Sequence, residues 1–347
     1  MWLVSLRDLQ FRARRFVIAI LVTSLVFGIA LAIDGMRRSV EDESPAIVGL
    51  FGADEWLVAK GATGPFTTTN VFDASNLAFV SSADGVKRAD AVVLSRTVIA
   101  GSPAKDANLI GHVPGGLGSP PLSEGRRVRK SGEAVVSPGI STSVGERLVV
   151  GGTSFRVVGK TKEGRYYFGI PTVFTTLKDA QQIVFKGQPL AMAVAVEGKT
   201  DTPDGMKVLT NDEVISDLDR PVEGGVQSIV VMAALMWVIA AGIIGLIVYL
   251  SAIERIRDFA VFKATGAPNR LIVGGLMLQA VLVAFIAGIL AIGVSKLVGL
   301  GLPFPSKLGV AGIAQLVIIS ILVGVLASIA GVRRALSTDP AVAFGGK

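Results

Sequence analysis

The sequence predicts an α-helical membrane protein with four transmembrane helices in a one-plus-three arrangement and a large extracytoplasmic α+β domain between helices 1 and 2. Three observations predict it. The 347 residues are 51% hydrophobic and only 18% charged, with a mean hydropathy of +0.61, whereas a soluble domain carries about 25% charged residues. Four stretches are apolar and uncharged over about the 20 residues that a helix needs to cross a hydrocarbon core about 30 Å thick. A mixed-polar segment of domain size, residues 34–225, separates the first stretch from the other three. Composition also excludes much chemistry. Cysteine is absent and His112 is the single histidine, so disulfides, thiolate metal sites and Cys nucleophiles drop out together. No catalytic, metal-binding or cofactor-binding residue is expected in this chain.

In chain order, residues 1–15 read as a cytoplasmic or interfacial N-terminal helix with Arg7, Arg12, Arg14 and Arg15. The first span is 16–33. Its basic start and the closing Ala30-Leu31-Ala32 also fit a secretory signal. The apolar run Phe16–Ile33 is longer than a typical signal core of about 7–15 residues, so it reads as an uncleaved anchor.

Residues 34–225 alternate short strand-like runs with turns: Ala91–Ala100, Ala134–Val136, Arg147–Val150, Ser154–Lys160 and Ala191–Val196. Gly151-Gly152 reads as a hairpin turn, and Leu177–Phe185 and Asp212–Leu218 as helices. Gly101–Gly125 is rich in Gly, Pro and Ser and reads as a long irregular loop. Arg126–Lys130 (RRVRK) reads as a solvated basic strand edge. The second span is 226–253, with its apolar run from Ile229. A cytoplasmic loop, 254–270, leads to span 3 (271–295). An outer loop, 296–307, then leads to span 4 (308–332) and a cytoplasmic tail, 333–347.

Basic flanks orient the chain. Arg255, Arg257, Lys263 and Arg270 lie between spans 2 and 3, and Arg333, Arg334 and Lys347 follow span 4, whereas the 296–307 loop has only Lys296 and Lys307. The positive-inside rule places both termini and the 254–270 loop in the cytoplasm and residues 34–225 outside. The formal net charge of +7 then divides unevenly. The cytoplasmic flanks carry eleven Lys and Arg against four acids, and the outer domain carries 21 against 23. The excess is a topology signal directed at lipid headgroups; no nucleic-acid partner is expected.

Two further patterns exclude functions. Ala193–Thr200 (AVAVEGKT) fits only a loose phosphate-binding loop. Its apolar strand-like start and Glu197 oppose phosphate, so it reads as strand followed by turn. The spans contain no ionisable residue except Tyr249, and ion-driven transporters place carboxylates or His on their path.

The 254–270 loop is the most informative region. Ile256, Phe259, Ala260 and Lys263 recur at helical spacing, and Gly266 and Pro268 close the helix. Such a short amphipathic helix at the cytoplasmic surface either docks into a partner's groove or lies on headgroups. Its residues run Glu254-Arg255, Arg257, Asp258, Ala260, Lys263-Ala264, Gly266-Ala267. In this they resemble the MacB/FtsX-type (type VII) ABC transporter permease family, whose signature here is ER-x-R-E-x-A-x-x-K-A-x-G-A. The resemblance extends to Leu6–Ile33, to Glu133–Ser137 and Val144–Gly159, to Gly169–Ala180 and to the Arg333–Ala343 tail. Asp258 stands where the family has Glu, and Gln279 in span 3 where it usually has Glu.

The resemblance implies a non-catalytic permease subunit of the plasma (inner) membrane, with ATP and Mg held by a separate cytoplasmic ABC ATPase dimer. That dimer would grip Glu254, Arg255, Arg257, Asp258, Phe259, Ala260, Lys263, Gly266 and Ala267. It implies mechanotransmission to the outer domain for export or extraction of a lipid, peptide or hydrophobic compound. The alternative is an FtsX-like non-transporting regulator that activates a cell-wall hydrolase. The partners implied are the ATPase dimer, a second permease copy (homodimer or paralogous heterodimer), membrane lipids, and an extracytoplasmic adaptor or hydrolase. The small-residue pairs Ala241/Gly245, Ala284/Gly288 and Gly324/Ser328 permit close helix packing, within one chain or between two. Sequencing the N-terminus of protein extracted from membranes tests the first span: residues ahead of Phe16 are expected, and a start at Ile33 contradicts the anchor.

Overall fold

The computed structural model describes residues 13–68, 70–74, 78–101, 103–266, 268–301 and 310–336. The chain divides into two compact units: Met1–Arg38 with Val226–Lys347, which is helical, and Ser39–Gly225, which is rich in sheet. In chain order the elements begin with helix α1 (Ala13–Gly49) and strands β1 (Glu55–Ala59) and β2 (Phe72–Asp73). Helix α2 (Ala78–Ser81) precedes strands β3 (Val86–Ile99), β4 (Lys105–His112), β5 (Leu122–Gly125), β6 (Glu133–Val136), β7 (Arg147–Val150), β8 (Thr153–Thr161) and β9 (Thr172–Thr176). Helix α3 (Leu177–Phe185) leads to β10 (Leu190–Ala191), β11 (Ala193–Gly198) and β12 (Met206–Thr210), and then come α4 (Asn211–Asp219), α5 (Glu223–Glu254), α6 (Ile256–Ala264), α7 (Asn269–Gly301) and α8 (Val310–Leu336).

Among the described residues, three helices are long and apolar enough to cross a membrane: Phe16–Gly49 of α1, all of α5 and all of α7. Helix α8 carries a shorter apolar stretch, Gly312–Leu326. The helices outrun the apolar runs that announce them. Helix α1 continues past Ile33 through Asp34, Arg37 and Arg38 to Gly49, α7 continues past Ser295 to Gly301, and α8 continues past Val332 to Leu336. A charge ends a membrane-soluble run but not a helix, and in α1 the charges sustain it. Asp34 accepts from Arg37 at 3.0 Å and from Arg38 at 2.8 Å, the i,i+3 and i,i+4 pairings that suit a helix surface. Pro45, inside α1, removes one backbone donor. The expected N-terminal helix before residue 13, the 302–307 part of the outer loop and the 337–347 tail lie outside the described residues.

The sheet-rich unit is built on a ten-stranded mixed sheet in the order β12-β1-β11-β3-β4-β9-β6-β8-β5, with β7 pairing both β3 and β8. The 14-residue β3 joins its halves: Val86–Val92 pairs with β11 and Val93–Ile99 with β4. Gly151-Gly152 makes the tight β7–β8 hairpin, bringing Val150 opposite Thr153. The phosphate-loop-like stretch is strand β11, paired on one side with β1 and on the other with β3. Helix α3 is capped by Thr176, which accepts from the Asp179 amide, and α4 by a reciprocal box between Thr210 and Glu213.

Two sequence expectations are corrected. The supposed irregular loop Gly101–Gly125 contains β4 and β5. Six consecutive residues of β4 are buried, because the strand is covered on both faces and so shows no polar alternation. Here His112 is buried at the strand end, its Nδ1 2.9 Å from the Val113 carbonyl, and burial lowers its pKa. The RRVRK run is solvated at Arg127, Arg129 and Lys130, as expected, but is irregular chain after β5 and not a strand edge. Arg126 donates both guanidinium nitrogens to the buried Glu133, at 2.8 and 2.5 Å, and Val128 enters the core. The hydrophobic core gathers around Trp56, whose Nε1–H donates to Asn211 Oδ1 at 2.8 Å and whose ring meets Phe51 edge-on.

The Arg126 guanidinium holds the Glu133 carboxyl down at about 2, from 4.5. Its folded pKa is depressed, so its contribution is present above about pH 4.5 and is lost as pH falls towards about 2. Glu133→Gln is expected to cost about 1.5–3 kcal/mol at neutral pH, the worth of a charge-assisted hydrogen bond, and to flatten the acid limb. Unfolding of the intact protein followed by circular dichroism between pH 7 and pH 2.5 reads both effects.

Candidate functional site

The site is assembled where α5 ends and α6 begins. Arg255 forms a one-residue turn between them: its N–H donates to the Ala252 carbonyl at 3.2 Å, and its own carbonyl accepts from Phe259 N–H at 2.9 Å. The amphipathic spacing of the sequence is resolved into two faces. Phe259 and Ala260 are 4% and 0% exposed, and Phe259 shares one buried cluster with Phe27 and Leu31 of α1, Ala252 of α5, and Ile272 and Leu276 of α7. The opposite face presents Glu254, Arg257, Asp258 and Val261, the last 49% exposed. The apolar face therefore holds the helix on its own unit, and the exposed face carries charges of both signs and a valine.

Arg255 belongs to the inner face in spite of its charge. Its side chain is only 11% exposed and lies against Phe259, the guanidinium 5.4 Å from the ring centroid, while its Nε stands 3.8 Å from the exposed Asp258 carboxylate. Burying the stem on an aromatic and directing the head to a surface acid is the usual way to seat an arginine at an interface. The helix closes with Thr265, whose N–H donates to the Val261 carbonyl at 3.0 Å, and Gly266, at φ 87°, where side chains are disfavoured. Helix α7 then opens with Leu271 N–H donating to the Pro268 carbonyl at 2.9 Å. Of the nine residues expected to meet an ATPase, Glu254, Arg257 and Asp258 lie outward and Phe259 and Ala260 inward. Ala267 and the side chain of Lys263 lie outside the described residues. Val261 is on the outward face but was not singled out from the sequence; its apolar character next to two charges was the available signal.

Behind α6 the helices meet through small and neutral groups. Gln279 of α7 is buried and donates to Ser251 of α5 at 3.2 Å, so the position that departs from the resemblance holds a neutral interhelical bond. A Cβ on Gly28 of α1 would come within 2.5 Å of Val294 of α7, and one on Gly324 of α8 within 2.9 Å of the Val281 backbone of α7. Ala284 and Gly288 are buried in α7. These contacts lie within one chain and use the small residues as the close approach of membrane helices requires. Among the described residues no group of three or more His, Asp or Glu could hold a metal ion.

Comparison with known proteins points one way. Residues 230–340 match the family model for the FtsX-like permease C-terminal domain. Over the whole of both chains, the sequence is 38% and 35% identical to two uncharacterized ABC transporter permeases of Mycobacterium tuberculosis (strain H37Rv). It is 24% identical over 41% of each chain to the hemin transport system permease protein HrtB of Staphylococcus haemolyticus. Among solved structures, the extracellular domain of the noncanonic ABC-type transporter YknZ from Gram-positive bacteria is matched over its full length and 46% of this chain, with 16% identity and a TM-score of 0.35.

The Gln279–Ser251 bond generates a prediction. Gln279→Leu removes it and is expected to cost about 0.6–1.7 kcal/mol, the range of interhelical bonds in a membrane bundle. Gln279→Glu, which buries a carboxylate, is expected to cost more. Thermal inactivation of the protein in lipid nanodiscs gives the order: wild type, Leu, Glu.

Proposed function

Because the chain belongs to the MacB/FtsX-type family of ABC transporter permeases, we propose that it couples ATP hydrolysis on a separate ABC ATPase dimer to movement of its sheet-rich unit, for export or extraction of a lipid, peptide or hydrophobic compound. The observation that carries the reading is α6: one face is sunk in the helical unit, and the other is left as Arg257, Asp258 and Val261. In this account the 254–270 loop and both termini are cytoplasmic, following their basic residues. Helix α8 completes four spans, and two permease copies stand over the two ATPase subunits.

The coupling follows from what α6 shares with its neighbours. A push on the outward face reaches Phe259, which lies in a cluster with side chains of α1, α5 and α7. Interiors packed at protein density transmit displacement rather than absorbing it. Helix α1 has residues in both units, and so does α5, so the displacement reaches the sheet-rich unit through two lengths of helix. ATP and Mg belong to the ATPase; this chain supplies the lever. The hemin named for the staphylococcal relative is not carried over, since that likeness covers under half of either protein.

The two faces of α6 give opposite mutational signatures. Val261→Glu, or Arg257→Glu with Asp258→Lys, is expected to insert and fold normally. Each is expected to lower permease-stimulated ATPase activity at least about tenfold, equivalent to ~1.4 kcal/mol of interface energy. Phe259→Ala is expected to destabilise the helical unit by about 3–5 kcal/mol. Reconstitution with the cognate ATPase in nanodiscs separates the two, and full stimulation by Val261→Glu would remove the coupling role. A wild-type complex that hydrolyses ATP and moves no compound across the membrane would favour the hydrolase-regulating alternative.

A further inference from the structure

The sheet-rich unit contains a cavity of about 480 Å³ that the coupling account leaves unused. This is the size of a small-molecule site, about 300–1,000 Å³. Its lining is aromatic: Phe66, the buried Tyr166, Tyr167 and Phe168. One cation joins them, Arg96, whose guanidinium lies 5.2 Å from the Tyr167 ring centroid. Among the described residues no carboxylate lies in ion-pair range of Arg96.

The cavity is built at some expense of backbone comfort. Tyr166 and Ile170 exchange both backbone hydrogen bonds, at 3.2 and 3.0 Å. The three residues between them, Tyr167, Phe168 and Gly169, are all left-handed, with φ of 55°, 61° and 79°. Turns of this hand are made cheaply by Asn and Gly; a bulky residue there is an outlier. Among the described residues only three non-glycines have positive φ, and two of them line this cavity. Strain of that kind concentrates where the side chains serve a function.

The nearby acids are engaged by other groups: the Glu43 carboxylate accepts from the Gly169 amide of this turn at 3.2 Å. Asp217 is fully buried and accepts from the amides of Phe66 and Thr67, at 2.9 and 3.2 Å, and from the hydroxyls of Thr63 and Thr67. The loop can close on it because residue 64 is glycine: a Cβ there would lie 2.2 Å from the carboxyl carbon. Asp219 accepts from Ser44. Burial pushes the Tyr167 phenol up to about 12, so it stays neutral and able to donate.

We propose that this cavity binds an amphiphilic anion: an apolar chain or ring body held by the aromatic side chains, with one carboxylate or phosphate group met by Arg96. Val222, which also lines it, immediately precedes α5, and the apolar run of that helix begins a few residues later. An amphiphile is thus the ligand class that the neighbouring membrane offers. Binding does not require the ATPase, so this site and the coupling reading stand or fall separately.

The test uses the full-length chain in phosphatidylcholine nanodiscs, with fluorescent cis-parinarate as probe and oleate, oleyl phosphate and uncharged monoolein as competitors. One saturable site per chain is expected, displaced by the anions and at least about tenfold less well by monoolein, the margin a charge-assisted contact confers. Preference for oleate or for oleyl phosphate tells which headgroup the site takes. Arg96→Gln is expected to weaken both anions at least about tenfold, with Arg96→Lys restoring most of the loss. Phe168→Asn relieves a left-handed position, so it is expected to keep or raise the melting temperature while weakening probe binding. A purely structural turn would gain stability with binding unchanged. Absence of a saturable site, or saturable binding that survives Arg96→Gln or Phe168→Asn unweakened, overturns the proposal.

Discussion

Backbone hydrogen bonding inside hydrocarbon is the constraint on which the rest of this structure depends. With no water to satisfy them, the N–H and C=O groups of a span must pair within a helix, and once formed the helix has no reason to stop where the lipid does. At 1.5 Å per residue, the 37 residues of α1 extend about 55 Å and the 32 of α5 about 48 Å, against a hydrocarbon core of about 30 Å. The surplus of α1 runs from Asp34 to Gly49: Arg37 and Arg38 pair with Asp34 at its start, and Ile47 and Val48 enter a hydrophobic core near its end. The overhang that hydropathy alone would count as loop is the part that joins the two units.

The other end of α5 obeys a second constraint, the cost of charge in apolar surroundings. Its last turns are tied to α7 by Gln279 and Ser251, a neutral pair that needs no counter-charge. Beyond it, Arg255 is seated on Phe259 with its charge directed at Asp258. Among the described side chains, Phe259 and Ala260 are turned inward and the inward Arg255 has its charge answered by Asp258; Arg257, Asp258 and Val261 are turned outward. The inward packing is what holds this nine-residue helix, since an isolated helix so short would be marginal in water.

Much of this was legible in the sequence, for reasons that can be named. The membrane helices announce themselves by composition, and the Gly151-Gly152 hairpin and Leu177–Phe185 helix by local chemistry that tertiary contacts did not override. Periodicity showed that α6 is amphipathic but not which of its residues the rest of the unit buries. Phe259 and Ala260 look like a docking face on spacing alone, yet both are buried, Phe259 in a cluster with side chains of α1 and α7. Strand β4 was hidden because Lys105–His112 lies among glycines and prolines and is covered on both sides. The membership of Tyr167, Phe168 and Arg96 in one cavity was not readable at all, since 70 residues separate Arg96 from Tyr166 in the chain and only the β3–β4–β9 register brings them together.

The central claim is that ATP-driven force applied at α6 moves the sheet-rich unit. The chain has no cysteine, so one spin label can be placed at Val98, which is exposed on β3, in an otherwise native sequence. Pulsed electron–electron resonance on the assembled complex then reads the distance between labels on two permease copies. A distance distribution that shifts between the nucleotide-free and ATP-trapped states, and that stays fixed when the outward face of α6 is disrupted, is what the account predicts. An unshifted distribution in a complex that hydrolyses ATP and moves its cargo would contradict it.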